Sequence, residues 1–239
     1  MDRPYVVCHM LSTLDGRISG DFMGSAGNSG PARIYGQLRG FYDCSATLYG
    51  TVTMAETYAE GYVERLEKAA QTYPRTDYIA SSDVDRYIVS VDTQGQLAWK
   101  SKYIEKRNRP KAHVIEVLTQ SVSDDYLSYL HDFDISYIFA GAERLDSSLM
   151  MEKLKFLFGI EKLMVAGGGV MNGTLIAAGL VDEMSIVLCP MIEGDRTAAC
   201  LADYTEENRP TAPAAFSLIE AKPMEDALWL RYRARREEA

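Results

Sequence analysis

The segment Leu163-Met164-Val165-Ala166-Gly167-Gly168-Gly169-Val170-Met171-Asn172 runs from a short apolar strand pattern through three glycines into a helix. Residues without side chains let a ligand approach the main chain. A helix start adds unpaired N–H groups and the positive end of its dipole. Gly167, Gly168 and Gly169, with the amides of Val170 and Met171, are therefore a candidate pyrophosphate site. A plain strand-to-helix turn is the competing reading of the same glycines. A second junction, Gly50-Thr51-Val52-Thr53, follows the strand pattern Ala46–Tyr49. Gly50 and Thr53 are candidates for a second anion-facing helix start, unless Thr53 only satisfies its own helix terminus.

Asp15 follows the first strand pattern, Pro4–Ser12, and precedes the glycine-rich segment Ser19–Gly30. Such segments form mobile lids over active sites, although Asp-Gly is also a common turn pair. His9 lies inside that first strand. A strand histidine is ordinarily a hydrogen-bonded core residue; facing a pocket, it would be a proton donor.

Alternating elements must position these groups. Strand patterns cover 46–49, 87–91, 113–118, 135–140 and 162–165. Helical patterns cover 32–42, 54–58, 124–130, 147–158 and 170–178, with Gly159 and Gly179 at cap positions. Residues 59–84 read as a polar insertion with a helical piece over 63–70. From Asp182 onward the strands Met184–Ile192, Ala215–Lys222 and Leu228–Arg235 follow one another without helices, the last two joined through Pro223–Ala227. The order predicts one α/β domain over residues 1–239. Its central sheet is mostly parallel, with helices on both faces and an antiparallel C-terminal edge.

The formal charge of −9 argues against nucleic acid as a partner, because phosphate backbones need clustered Lys and Arg. The basic run Lys100–Lys111 reads as a solvated loop, and the tail Arg231–Arg236 as a strand end. No apolar run approaches the ~20 residues that span a bilayer. Cys8, Cys44, Cys189 and Cys200 lack metal-ligand spacing and suit free thiols in a reducing compartment. With no signal segment at the N-terminus, the expectation is a cytoplasmic enzyme acting on a small molecule.

Ser12-Thr13-Leu14-Asp15-Gly16-Arg17 resembles the Ser-Leu-Asp-Gly-Lys signature of the C-terminal reductase domain of bacterial riboflavin-biosynthesis deaminase/reductases. Leu38-Arg39 to Asp43 with Gly50-Thr51-Val52-Thr53 resembles that family's second block. Val165 to Gly169, Gly179-Leu180-Val181-Asp182-Glu183 and Pro190…Glu193-Gly194 resemble its ending. The matches keep their order from about residue 5 to 235.

The resemblance implies the dihydrofolate-reductase-like fold, NADPH as hydride donor and a homodimer. It also implies reduction of a ribosylamino-pyrimidine phosphate such as 5-amino-6-(5-phosphoribosylamino)uracil. On it, Thr13, Gly50, Thr53, Ser90, Gly141, Gly167, Gly168, Gly169 and Val170 are cofactor-binding. Ser90, at the end of strand 87–91, is a candidate for the 2′-phosphate against a plain strand-end serine, and Gly141 either lets the cofactor cross a strand end or serves a turn. Asp15 and Arg17 are the catalytic candidates. The family's riboflavin reductases carry Lys at the Arg17 position and Glu at the Ala166 position. Arg keeps the charge but does not readily release a proton. The rival readings are a dihydrofolate or pterin reductase on the same fold and an NADPH-binding protein without turnover. The first is disfavoured because helix 32–42 carries no acidic residue.

Overall fold

A computed structural model describes residues 2–106, 109–206, 208–210 and 212–235. Arg107 and Asn108 of the basic run, and Arg236 of the tail, lie outside the described residues. In chain order the elements are β1 (Tyr5–Ser12), α1 (Ser29–Tyr42), β2 (Ala46–Gly50), α2 (Thr51–Thr57), β3 (Tyr87–Val91), β4 (Tyr103–Ile104), β5 (Ala112–Leu118) and α3 (Asp124–Asp132). There follow β6 (Ser136–Phe139), α4 (Ser147–Phe158), β7 (Lys162–Val165), α5 (Gly169–Ala177), β8 (Glu183–Leu188), β9 (Phe216–Met224) and β10 (Ala227–Ala234). They form two compact units, one of Met1–Pro4 with Ser45–Glu161 and one of Tyr5–Cys44 with Lys162–Ala239.

In the first unit β3 lies between β2 and β5, all parallel, and β6 pairs in parallel with β5. The short β4, absent from the sequence expectation, pairs antiparallel with the start of β5. Every residue of β5 is buried, as its unbroken apolar pattern requires apart from His113 and Glu116. Ser123 accepts from the Tyr126 amide to cap α3, and Asp146 accepts from the Leu149 amide to cap α4.

The helical piece expected over 63–70 does not form. Its residues are used for tertiary bonds instead: Val63 donates to the Gln96 carbonyl and the Ala69 amide donates to Asp125. Further along, Arg75 pairs with Asp124 at 3.1 Å, and Tyr78 bridges antiparallel to Tyr137 on β6. The insertion thus ties itself to α3 and to the strand β6, covering main-chain groups that would otherwise be an open edge.

In the second unit β1 lies between β7 and β8, parallel to both. β10 joins β8 antiparallel, and β9 joins β10. The antiparallel C-terminal strands are therefore present, and the parallel character is confined to β1, β7 and β8 within this unit. α1 begins at Ser29, three residues before its apolar pattern, and buries Pro31, Ile34, Leu38 and Tyr42.

The segment 19–30 is not an open lid. It contains short 3₁₀ turns at Asp21–Gly24 and Ala26–Asn28, and buries Phe22. The Phe22 amide donates to Glu193 at 2.9 Å, anchoring the segment. β8 stops at Leu188 rather than Ile192 because the chain turns back there: Met191 donates to Cys189, and its carbonyl accepts from Leu14.

Glu183, at the start of β8, is nearly inaccessible yet charged. It accepts from Tyr42 (2.6 Å), Tyr5 (3.1 Å) and Arg231 (2.7 Å). Burial pushes its carboxyl up, but the hydrogen bonds and charge of Arg231, with the two tyrosine hydroxyls, outweigh burial and hold it below the usual range. This carboxylate belongs to the fold.

Candidate active site

Ligand sites on parallel sheets form beyond the carboxyl ends of the strands. In the second unit two such ends are adjacent, because Cys8 of β1 pairs with Val165 of β7. Past that point β7 enters the glycines, while β1 continues to Ser12 and the Thr13–Arg17 turn.

The turn is closed by its own side chains. The Thr13 hydroxyl donates to Asp15 Oδ1 at 2.6 Å and accepts from the Arg17 amide at 2.9 Å. Thr13 is fully buried, so its hydroxyl serves the turn. Asp15 also accepts from the amides of Glu193 (3.1 Å) and Gly194 (2.9 Å). The Thr13 hydroxyl, then the Gly194 and Glu193 amides, lower its pKa to about 2. Asp15 is therefore an exposed, ionised carboxylate that donates no proton near neutrality. Glu193 and Gly194, quoted above only as motif residues, are its positioning partners.

Arg17 is turned back into the protein. Its Nη1 donates to the Ala198 carbonyl (2.7 Å) and to Cys200 Sγ (2.9 Å). Its Nε is buried without a hydrogen-bond partner. Arg17 and Cys200 form an antiparallel bridge, flanked by Ile18 donating to Ala199 and Leu201 donating to Gly16. The segment 198–203 is thereby a strap across the turn.

The same strap reaches α5. A β-carbon on Gly169 would run into the Asp203 carboxylate and the Cys200 carbonyl; one on Gly173 would meet the Asp203 main chain. Asp203 donates to the Gly169 carbonyl, and Asn172 Nδ2 donates to the Leu201 carbonyl at 2.8 Å. Gly169 is thus required by packing of protein on protein. Nothing in composition or periodicity points to the strap, since its bonds are to residues far away in sequence.

Gly167 and Gly168 both have positive φ, and Gly168 is the N-cap of α5 with no side-chain cap. Among the described residues, the amides of Gly169, Val170 and Met171 make no hydrogen bond within the protein, and the Val170 side chain is half exposed. Uncapped amides beside an exposed residue are suited to an anion. The fit to a pyrophosphate rests on these amides.

The first-unit candidates divide. Gly50 is the N-cap of α2 in an extended conformation, and Thr51 ties the helix start to the sheet through its hydroxyl to the Val91 carbonyl at 2.8 Å. Thr53 is half-buried within α2. Ser90 is fully inaccessible within β3, opposite Glu116 of β5, so it does not reach a cofactor phosphate in this structure. Strand position alone did not tell which way it faced. At Gly141, φ is 113° and a β-carbon would collide with the Arg144 carbonyl; its turn needs glycine.

His9 is a core residue. Its Nε2 meets the Tyr35 carbonyl at 3.0 Å, which only accepts, so Nε2 carries the proton. Nδ1 then accepts from Ser185 Oγ at 2.9 Å, and Ser185 accepts from Trp229 Nε1 at 2.9 Å. Burial lowers its pKa to about 4. No proton donor remains here.

A family model described as the RibD C-terminal domain matches residues 4–213. The chain belongs to the RibD C-terminal domain family. This RibD-type chain is 30% identical over 203 residues to the 2,5-diamino-6-ribosylamino-4(3H)-pyrimidinone 5′-phosphate reductase of Methanothermobacter thermautotrophicus, covering 84% of each. Among solved structures it resembles RibD of Acinetobacter baumannii, with a TM-score of 0.65, 19% identity and coverage of 98% of this chain. It spans only 58% of that protein's length. A pyrimidine reductase-like protein of Corynebacterium diphtheriae matches with a TM-score of 0.66 and 14% identity, covering 98% of this chain and 93% of that one. These two likenesses establish the shared fold of the RibD-type domain.

Among the described residues, no group of three or more His, Cys, Asp or Glu is placed to hold a metal ion. No helix among them is long and apolar enough to cross a membrane.

Proposed function

We propose that the chain reduces 2,5-diamino-6-ribosylamino-4(3H)-pyrimidinone 5′-phosphate with NADPH as hydride donor. The observation that carries this reading is the 30% identity, over 84% of both chains, to the archaeal reductase of that name. A nicotinamide cofactor is what a reductase of this family requires; NADPH in place of NADH follows from the sequence resemblance. NADPH would supply the hydride, and the acceptor would be the imine carbon of the opened ribosylamino group.

The residues would then divide the work. The uncapped amides of Gly169, Val170 and Met171 hold the cofactor's pyrophosphate. Arg17 adds fixed positive charge and holds the strap through Cys200. Asp15 keeps the Thr13–Arg17 turn closed against Glu193 and Gly194. Arg17 and ionised Asp15 are poor acids, and His9 has both ring nitrogens engaged. The proton that completes the product therefore comes from water or the substrate's own phosphate. Assembly as a homodimer, expected from the resemblance, is part of the same proposal.

Oxidation of NADPH, followed by its absorbance, tests this directly. Turnover is expected with the diaminopyrimidinone phosphate and exceeds that with its deaminated uracil counterpart, with dihydrofolate inert. Absence of turnover with either pyrimidine removes the proposal.

A further inference from the structure

Two strands of the second unit are apolar on a side that one chain leaves half-open. Glu183 meets Tyr42, and Trp229 packs edge-on against Phe41, so these positions and their alternates face α1. The intervening side chains project to the opposite side, where Leu228 stands beside Leu188 and Leu230 beside Ile186. Burial follows the same alternation. Ser185, Val187, Ala227 and Trp229 are buried, whereas Ile186, Leu188, Leu228, Leu230 and Tyr232 are half-buried. No Lys, Arg, Asp or Glu stands on this second face of β8 and β10. An apolar sheet face needs a covering layer.

The face has two unlike ends. At one, a groove of about 670 Å³ is walled by Ile176 of α5, Leu201 and Ala202 of the strap, Phe216 of β9 and Tyr232 of β10, with exposed Arg209 beside them. At the other, the β9–β10 turn carries Glu225 and Asp226, both exposed. The outer edge is guarded differently. Lys222 and Pro223 lie on β9, and its ladder with β10 is irregular between Arg231 and Tyr232, features that discourage a further strand. A partner therefore meets the face, not the edge.

We propose that a second copy of this chain covers this face, stacked about a two-fold axis that crosses the strands, so that each β9–β10 hairpin lies over the other copy's groove. This deepens the homodimer of the proposed function, on which it rests, by placing its interface. Charge selects the orientation. Glu225 pairs with Arg33 of its own chain, so Asp226 is the acid that meets Arg209 across the interface. An axis along the strands would instead set the two Arg209 side chains together. Leu230, midway along β10, falls near the axis. The strap walls the groove, so the partner backs the segment that holds Gly169.

Sedimentation equilibrium of the full chain tests this and needs neither cofactor nor turnover. The natural chain is expected as a dimer at micromolar concentration. Leu230→Arg should give a monomer. Leu218→Glu, at an exposed position beside Tyr232, should do the same and serves if the first variant does not fold. Arg209→Glu and Asp226→Arg should each weaken association roughly tenfold, and the double reversal should restore it to within about threefold. A natural chain that stays monomeric, its groove taking up a small apolar dye instead, overturns the proposal and the homodimer with it. A dimer indifferent to Leu230→Arg and Leu218→Glu, or single reversals that the double one does not rescue, overturns this placement alone. Neither outcome bears on the hydride transfer, which NADPH oxidation tests separately.

Discussion

Asp203 closes onto Gly169: its amide donates to the Gly169 carbonyl at 2.9 Å, and its carboxylate lies where a β-carbon on Gly169 would stand. The third glycine of the sequence motif is thus held by the strap through its carbonyl, while its own amide makes no hydrogen bond among the described residues. Gly169→Ala forces the strap off α5 and should cost about 1–3 kcal/mol, the usual range for overpacking. Val170→Ala, at the exposed neighbouring position, should stay within about 0.5 kcal/mol. Urea unfolding of both variants decides it; equal stability of the two would show that the strap yields freely.

Replacing Arg17 separates its two roles. Arg17→Lys keeps the charge, but its shorter side chain withdraws the donor from the Ala198 carbonyl and Cys200 Sγ, both of which are held by the terminal Nη1. We expect a rise in KM for NADPH of roughly tenfold with a smaller fall in kcat, as expected for lost positioning. A selective loss of kcat would instead mark Arg17 as acting on the reacting atoms.

Asp15 should leave the neutral limb of the pH–rate profile untouched. Its pKa is lowered to about 2 by Thr13, then by the Gly194 and Glu193 amides, so it stays ionised through the working range. A depressed carboxylate contributes stability above its ordinary value that is lost as pH falls toward about 2. Asp15→Asn should lower activity by loosening the turn, while the shape of the profile above about pH 4 is retained. A lost ionisation limb near neutrality in that variant would contradict the assignment.

His9 predicts an acid limit to stability. Its folded pKa of about 4 lies below the ordinary 6.5, so the unfolded chain binds a proton that the fold refuses. Stability contributed by this group is complete above the ordinary value and falls as pH drops toward about 4, by up to about 3 kcal/mol. Denaturant unfolding across that window should show the fall in the natural chain and a flatter curve in His9→Gln.

Glu183→Gln tests the buried pair with Arg231. Removing one charge leaves the other without its partner, which costs about 3–5 kcal/mol in buried sites. Arg231 retains Glu220 at 3.2 Å, so the lower end is expected. A calorimetric scan reads the loss; a change under about 1 kcal/mol would place the pair with ordinary surface ion pairs.

Strand and helix order was largely legible in the sequence, because apolar periodicity reports which residues are buried. The runs at 87–91, 113–118 and 162–165 became β3, β5 and β7 with small changes at their ends. The piece at 63–70 failed for the opposite reason: its local helix pattern carried no information about the bonds awaiting it on 96 and 125. The candidate site was legible in part. Gly167 to Gly169 stood out because three side-chain-free residues lead straight into a helix start, but that Gly169 is also required by the packing of Asp203 and Cys200 against it was not legible there.

What the chain determined by itself was therefore local: where strands end, where glycines allow positive φ, and which carboxylates follow a strand. Only the tertiary structure decided what those groups face. Ser90 and Gly50 sit on neighbouring strands of one parallel set, yet one is sealed against Glu116 and the other opens a helix. Arg17 meets Cys200, and Gly169 meets Asp203, across long stretches of sequence. Such partners are chosen by how the chain closes on itself, and no spacing along it encodes that distance.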